Sequence, residues 1–181
     1  MVIGLDSARE QLQWRLIYAT ETSHAVLRHF TGCSYQFGQR NTRIVVSIPK
    51  QRAYLMIEDR VVADGPISSG RRGHESPTGH LHVLEKDPNH HSNLYGDFVD
   101  SSGRVVRAGV SARIDSAPSG THFTGAPMRW FLRLTDEGVG MHVGILPGYP
   151  ASHGCIRQSA DGAKLIYDYV KVGTPVDVGD Y

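Results

Sequence analysis

The chain has 181 residues, of which 40% are hydrophobic and 20% charged, and its formal net charge is +1. This composition suits one globular domain with a substantial core and a small appendage. Lys and Arg are scattered along the chain, so we expect no nucleic-acid partner. No apolar run reaches the roughly 18 residues of a membrane span, and residues 1–6 are too short to form a signal peptide.

The first thirty residues have a helical pattern. Ser7 and Glu10 have the spacing of a capping box. Apolar residues recur at near-helical spacing, namely Ala8, Leu12, Leu16 and Ala19. This pattern predicts helix over residues 7–30, with a second short helix covering 24–30.

A change of hydrophobic period marks a boundary near residue 42. Residues 31–42 are rich in glycine and polar residues and are typical of a linker. Apolar residues then alternate, with Ile44, Val46 and Ile48 on one face, which predicts a meander of antiparallel strands. We therefore divide the chain into a helical N-terminal segment with its linker, 1–42, and a second domain, 43–181.

Further strands, a long loop and a helix complete the second domain. Strands are predicted within 79–85 and 129–135. Between them, residues 86–127 are rich in glycine and serine, and a loop of this length is usually functional or mobile, so we interpret it as a lid. The last helix is predicted to begin at the N-cap Ser159 and to stop at Gly173.

Cys155 is the candidate nucleophile. With Cys33 it makes only two cysteines, too few for a disulfide scaffold or a four-cysteine zinc site, while one bridge stays open. Cys155 has histidine neighbours and precedes the predicted helix, so we expect a lowered thiol pKa and an accessible thiolate. The N–H groups of Gly154 and Cys155 are candidates for an oxyanion hole, and His142 at a strand end is the better base. The alternative is a buried structural cysteine.

Four neighbours of Cys155 are assigned secondary roles. We expect His153 to support catalysis by orienting Ser152 or the loop rather than to act as the base. The planar guanidinium of Arg157 suits a substrate carboxylate, and the alternative is a plain surface charge. Ser152 and Tyr149 are further candidates for substrate binding.

The ten histidines raise the question of a metal site. His80 and His82 share one face of a predicted strand, and His90 and His91 lie in the predicted lid. Their spacings match no regular zinc pattern and no carboxylate stands beside Cys155. We therefore predict neither a metal site nor a cofactor, and interpret these four histidines as solvated polar positions.

The residues around Cys155 resemble the L,D-transpeptidase catalytic domain, the YkuD-like family. Its signature is a histidine, a short variable loop, Ser/Thr-His-Gly-Cys and usually an arginine or asparagine two residues on. Here the signature reads His142, the loop VGILPGYPA, and SHGCIR at 152–157. The Pro-Thr-Gly at 77–79 and the closing GTPVDV at 173–178 also fit, and the resemblance covers about residues 43–178.

The resemblance implies a mostly β fold with α elements (α+β): a β-sandwich-like domain with Cys155 in a groove, a C-terminal helix and, here, a short N-terminal helical segment. It implies a bacterial cell-envelope enzyme that acts on peptidoglycan stem peptides. Cys155 attacks the bond between an L-centre and a terminal D-residue, forms a thioester, and passes the acyl group to an amine of a stem or of a lipoprotein lysine. The carbonyl of Val143 orients His142, and carbapenem-type β-lactams are expected to acylate Cys155.

Three alternatives to transpeptidation are considered: a different acyl acceptor, a different class of thiol hydrolase, and a protein without catalytic activity. With water as the acceptor, the same site makes an L,D-carboxypeptidase or endopeptidase. A papain-like thiol hydrolase is disfavoured because such enzymes place the cysteine before the histidine in the chain. An inactive wall-binding module is disfavoured because His142, Gly154 and Cys155 are all present.

Overall fold

The computed structural model describes residues 15–16 and 41–181. Most of the predicted helical segment and linker therefore lies outside the described residues. Within the predicted helix, Arg15–Leu16 forms a short strand that pairs with the strand Arg60–Ser68, so the prediction is wrong at these two positions. Pairing with a sheet edge competes there with the local helical preference.

The described chain contains thirteen strands and one helix. The strands are β1 Arg15–Leu16, β2 Thr42–Ser47, β3 Arg52–Ile57, β4 Arg60–Ser68, β5 Gly79–His82, β6 Glu85–Asp87, β7 His91–Asp100, β8 Val105–Ser111, β9 Thr121–Pro127, β10 Phe131–Arg133, β11 Gly140–Val143, β12 Ile156–Gln158 and β13 Pro175–Gly179; the helix is α1 Ala160–Tyr169. The predicted fold class, mostly β with a C-terminal helix, is confirmed.

Ten strands form one sheet in the order β5-β13-β2-β3-β4-β12-β11-β10-β6, with β1 also paired to β4. The predicted antiparallel meander is β2-β3-β4. Strand β4 changes partner along its length: residues 60–66 pair with β3 and residues 67–68 with β12. This change of partner lets one sheet curl around its own core and joins the meander to β12, which directly follows Cys155, and to β11, which carries His142.

The core follows from the alternation seen in the sequence. Ile44, Val46 and Leu55 are at most 1% exposed, because alternate residues of a strand point to the same face. Helix α1 packs on this core through the buried Ile166, with Leu165 also in contact with it. Its N-cap is Ser159, as predicted, whose side chain accepts a hydrogen bond from the Gly162 N–H at 3.2 Å. Such a cap contributes about 1 kcal/mol.

The segment predicted as a long loop, 86–127, is instead mostly strand. Strands β7, β8 and β9 form a separate three-stranded antiparallel sheet with β7 in the middle. Its glycines allow close contact between backbones: a Cβ on Gly96 would lie 2.0 Å from the Thr124 carbonyl oxygen. Glycine here marks tight strand packing, so the interpretation of the segment as a loop is wrong.

Candidate active site

A parallel strand pair brings the candidate base and nucleophile together. His142 lies in β11, Cys155 directly precedes β12, and the register places His142 opposite Arg157. Both His142 and Cys155 line a cavity of about 460 Å³, whose wall also includes Tyr95 of the three-stranded sheet. The sheet ladder, rather than the connecting loop, therefore fixes the relative positions of the two groups.

His142 has the protonation state of a base. It is 8% exposed, and its Nδ1 lies 2.7 Å from the Val143 carbonyl oxygen. A carbonyl oxygen only accepts, so Nδ1 carries the hydrogen and Nε2 keeps its lone pair. Burial lowers the pKa of His142 to about 4, with a smaller lowering by Arg157, while the Val143 hydrogen bond opposes it. The ring is therefore neutral near pH 7 and able to accept a proton.

Cys155 rests as a thiol. It is free and half-buried, and burial raises the pKa of its thiol, although a hydrogen bond from the Gly140 backbone and the charge of Arg157 oppose the shift. The expected lowering of the thiol pKa is therefore wrong. The physical reason for the raised pKa is burial of the thiol; in addition, strand β12 separates Cys155 from helix α1, which begins at Ala160, so the sulfur is not at a helix N-terminus. Within the described residues, no hydrogen bond joins His142 to the sulfur.

The loop before Cys155 is held by its own hydrogen bonds. The Ser152 hydroxyl donates to the Cys155 carbonyl and accepts from the Gly154 N–H at 3.1 Å. Ser76 Oγ donates to the Gly154 carbonyl at 2.7 Å and accepts from the Gly70 N–H at 2.9 Å. Because the Gly154 N–H is already bound, it does not serve an oxyanion hole in this arrangement, and the Cys155 N–H remains as the candidate. Ser152 is 1% exposed and braces the loop.

His153 is held by neighbours outside its own loop. Its Nε2 lies 2.8 Å from Arg71 Nη2, and its ring stacks on Tyr95 with centroids 4.4 Å apart. A guanidinium only donates, so Nε2 of His153 accepts and has no lone pair left for Cys155. Partial burial, followed by the charge of Arg71, lowers the pKa of His153. These contacts support the positioning role expected for His153.

Arg157 and Tyr149 differ in their relation to the cavity. Arg157 is half-buried, lines the cavity, and pairs with no carboxylate among the described residues. Gly144 makes room for it, because a Cβ there would lie 2.7 Å from Arg157 Cγ. Tyr149 is 62% exposed and its side chain is not part of the cavity wall. The structure therefore brings Arg157 to the site and leaves Tyr149 outside it.

Several residues of the site were not predicted from the sequence. The Gly140 backbone hydrogen-bonds the Cys155 thiol, Ser76 donates to the Gly154 carbonyl, and Arg71 and Tyr95 contact the His153 ring. Of these four residues, only Ser76 stood in a motif recognised in the sequence, since it directly precedes Pro-Thr-Gly. The prediction for His90 is wrong: it is partly buried, stacks on Phe131 and lines the cavity. Its three companions are exposed as predicted, namely His80, His82 and His91.

Gly140→Ala is expected to lower the free energy of unfolding by about 1–3 kcal/mol, the usual cost of overpacking a core. Its Cβ would lie 2.3 Å from the Leu132 carbonyl oxygen and 2.5 Å from the buried Phe131 ring, neither of which has room to move. Urea unfolding measures the change. Gly103→Ala is the control, because a Cβ there meets no atom within 4 Å and adds only backbone strain at φ 81°. Equal stability losses in the two variants would contradict the steric explanation.

The described part of the chain contains no helix long and apolar enough to cross a membrane. Nor do residues 15–16 and 41–181 contain a group of three or more His, Cys, Asp or Glu side chains arranged to hold a metal ion.

Comparison with known proteins identifies the family of this chain. The family model of the L,D-transpeptidase catalytic domain, YkuD, matches residues 41–178. Since this is well over half of the chain, the protein belongs to the L,D-transpeptidase catalytic domain family. A search of curated proteins finds no match to the sequence.

Solved structures show the same fold. An L,D-transpeptidase from Mycobacterium smegmatis is 25% identical, with a TM-score of 0.56, over 76% of this chain and 58% of that one. L,D-transpeptidase 3 from Mycobacterium tuberculosis, in complex with a faropenem-derived adduct, is 24% identical (TM-score 0.54; 76% and 60%). An L,D-transpeptidase from Stackebrandtia nassauensis is 15% identical (TM-score 0.55; 88% and 67%). The chain spans about three fifths of the length of the first of these proteins.

Proposed function

We propose that this protein is a peptidoglycan L,D-transpeptidase of the bacterial cell envelope that uses Cys155 as its nucleophile. The observation that carries the proposal is the pairing, in one cavity, of a free thiol with a neutral imidazole whose Nε2 is available. A thiol with a raised pKa is a poor nucleophile until a base removes its proton. His142 is such a base, and the Val143 carbonyl keeps its ring in the required tautomer.

The first half-reaction acylates Cys155. As Sγ attacks the carbonyl carbon between an L-centre and a terminal D-residue, its proton passes to Nε2 of His142. The Cys155 N–H stabilises the oxyanion that forms. When the tetrahedral intermediate collapses, the C–N bond breaks, His142 returns the proton to the leaving nitrogen, and D-alanine departs. The product is a thioester between the stem peptide and Cys155.

Arg157 provides a site for a substrate carboxylate. Its guanidinium lines the cavity next to the nucleophile and, among the described residues, pairs with no acidic side chain. A planar fork of donors binds a carboxylate in a bidentate way. Tetrapeptide stems carry a terminal carboxylate one residue beyond the scissile bond, so this contact would set which peptide bond reaches the sulfur.

The second half-reaction transfers the acyl group to an amine, and water is the competing acceptor. The test is mass analysis of muropeptides incubated with the protein. Transpeptidation gives a cross-linked product in which one D-alanine has been lost and a new amide formed. Hydrolysis gives a shortened, uncross-linked stem, which would reassign the protein as an L,D-carboxypeptidase. Recovery of unchanged muropeptides would contradict both activities and favour an inactive wall-binding module.

A further inference from the structure

A second histidine lies in the turn that follows β6. Asp87 Oδ1 accepts from the Asn89 N–H at 2.9 Å, and Asp87 Oδ2 lies 3.2 Å from His90 Nδ1. Two backbone hydrogen bonds fix the turn: Trp130 N–H donates to the Pro88 carbonyl at 3.1 Å, and Met128 N–H donates to the His90 carbonyl at 2.8 Å. The Asp87–His90 pair is therefore held against the start of β10.

The carboxylate determines which nitrogen of His90 is available. The backbone N–H of Asn89, and to a smaller degree His90, lower the pKa of Asp87, so its carboxylate is ionised. An ionised carboxylate only accepts, so Nδ1 of His90 donates to it, and in the neutral ring the lone pair lies on Nε2. This is the arrangement of an oriented base: a carboxylate behind an imidazole fixes its tautomer and direction.

His90 belongs to the same cavity as the nucleophile. Its side chain is 18% exposed and lines the cavity together with His142 and Cys155. The His90 ring stacks on Phe131 with centroids 4.2 Å apart and an interplanar angle of 12°, and the His142 ring lies 6.4 Å from the same phenylalanine. The structure thus presents two imidazoles to one cavity, each oriented by its own acceptor, and the first half-reaction employs only His142.

The second half-reaction has two protons to remove. Alkyl amines titrate near pH 10, so the acceptor arrives as an ammonium ion without a lone pair. It must lose one proton before it attacks and a second after the C–N bond has formed. Burial lowers the pKa of His142, so its ring is a weak base, and in the proposed mechanism it exchanges its proton with the Cys155 sulfur. The first proton therefore calls for a base other than His142 in the same cavity.

Building on the proposed transpeptidase function, we propose that His90 is the base that deprotonates the acceptor amine, with Asp87 as its positioning residue. One proton of the ammonium passes to His90 Nε2, and the free amine attacks the thioester carbon. The C–N bond forms, the C–S bond breaks, and the second amine proton passes through His142 to the sulfur, which restores the thiol. His90 then releases its proton to solvent.

The experiment measures the two half-reactions separately. Thioester formation with a stem tetrapeptide is followed by intact mass, and its consumption by a stem amine is timed in a second mixing step. His90→Gln and His90→Phe are expected to slow amine transfer by on the order of a hundredfold or more, the usual worth of a positioned base, and to leave acylation unchanged. The His90→Phe variant preserves the stacking of an aromatic ring on Phe131 while removing the base. Asp87→Asn is expected to slow amine transfer less than the His90 variants do. His91→Gln is the matched control, because the His91 ring is exposed and, within the part of the chain that the structure describes, hydrogen-bonds only the Asn89 carbonyl.

A second acceptor distinguishes proton removal from a structural effect. Hydroxylamine is largely unprotonated at neutral pH and has no ammonium proton to lose, so His90 variants should consume the thioester with it at the wild-type rate. Equal losses with hydroxylamine and the stem amine, or parallel losses in acylation and transfer, would overturn the role of His90. Unchanged amine transfer in all His90 variants would do the same. Failure of the wild-type protein to form any thioester would instead contradict the proposed function.

Discussion

Cys155→Ala is expected to abolish both the release of D-alanine from a tetrapeptide stem and the covalent capture of a carbapenem-type β-lactam. The substitution removes the atom that forms the thioester, and no other described cysteine is present in the cavity. A β-lactam amide presents its carbonyl where the scissile carbonyl sits, so wild-type protein should gain the mass of one inhibitor. Intact-mass analysis and urea unfolding measure the adduct and the stability; the fold should persist, since the half-buried thiol packs little surface.

Cys33→Ser is the matched control for this prediction. It removes the other cysteine of the sequence, and nothing in TGCSY activates a thiol. It should form the adduct and release D-alanine at wild-type rates. A chelator should leave the labelling of wild-type protein unchanged, because thiol acylation uses no metal. An adduct that persists in Cys155→Ala, or that disappears in Cys33→Ser, would identify a different nucleophile.

His142→Ala is expected to slow acylation by roughly a hundredfold to ten-thousandfold, the contribution of a positioned proton acceptor. The pH dependence gives the more specific signature. The imidazole acts as a base only when unprotonated, and its lowered pKa of about 4 keeps it unprotonated through the neutral range. Wild-type acylation should therefore show no loss of base as the pH falls from 7 to about 5, and should decline as it passes through about 4. Single-turnover acylation rates across this pH range measure the acidic limb of the profile, that is, the pH at which the rate declines.

His153→Ala is the comparison that assigns the base. His153 Nε2 is bound by Arg71, so its loss should displace the loop and lower the rate, yet the residual activity should keep the limb near pH 4. Reversed roles would appear as a limb that disappears with His153 and survives in His142→Ala. An acylation rate in His142→Ala equal to that of wild type would remove His142 from the mechanism.

Local sequence was sufficient to find the central residues. His142 and Val143 are adjacent, and their hydrogen bond joins neighbouring residues of one strand, so a short motif contains it. The meander was predictable for a similar reason, since alternation of apolar residues directly reflects which face of a strand is buried. The cap of helix α1 at Ser159 likewise depends on residues only three positions apart.

The features that the sequence did not reveal depend on contacts distant along the chain. The strands within 86–127 were missed because their glycines, such as Gly96, are required by a neighbouring backbone rather than by a turn. The thiol pKa was predicted in the wrong direction because burial by surrounding elements outweighs the Gly140 hydrogen bond and the charge of Arg157, which lower it. His90 is held at the cavity by stacking on Phe131, forty-one positions away, and the hydrophobic periodicity of the sequence does not predict such a contact.

The parallel pairing of β11 with β12 also has a consequence for protein engineering. The chain leaves β11 at Gly144 and is anchored again at Tyr149, whose carbonyl accepts from the Ser68 hydroxyl at 2.8 Å, and at Ala151, whose N–H donates to the Ser69 carbonyl at 3.0 Å. Between Gly144 and Ala151 this crossover carries exposed Ile145 and Tyr149. Since the ladder aligns His142 with the strand that directly follows Cys155, we expect residues 145–148, of which Ile145 lines the cavity, to tolerate exchange. Variants in this crossover are therefore expected to change which molecules reach the cavity without disturbing the relative positions of His142 and Cys155.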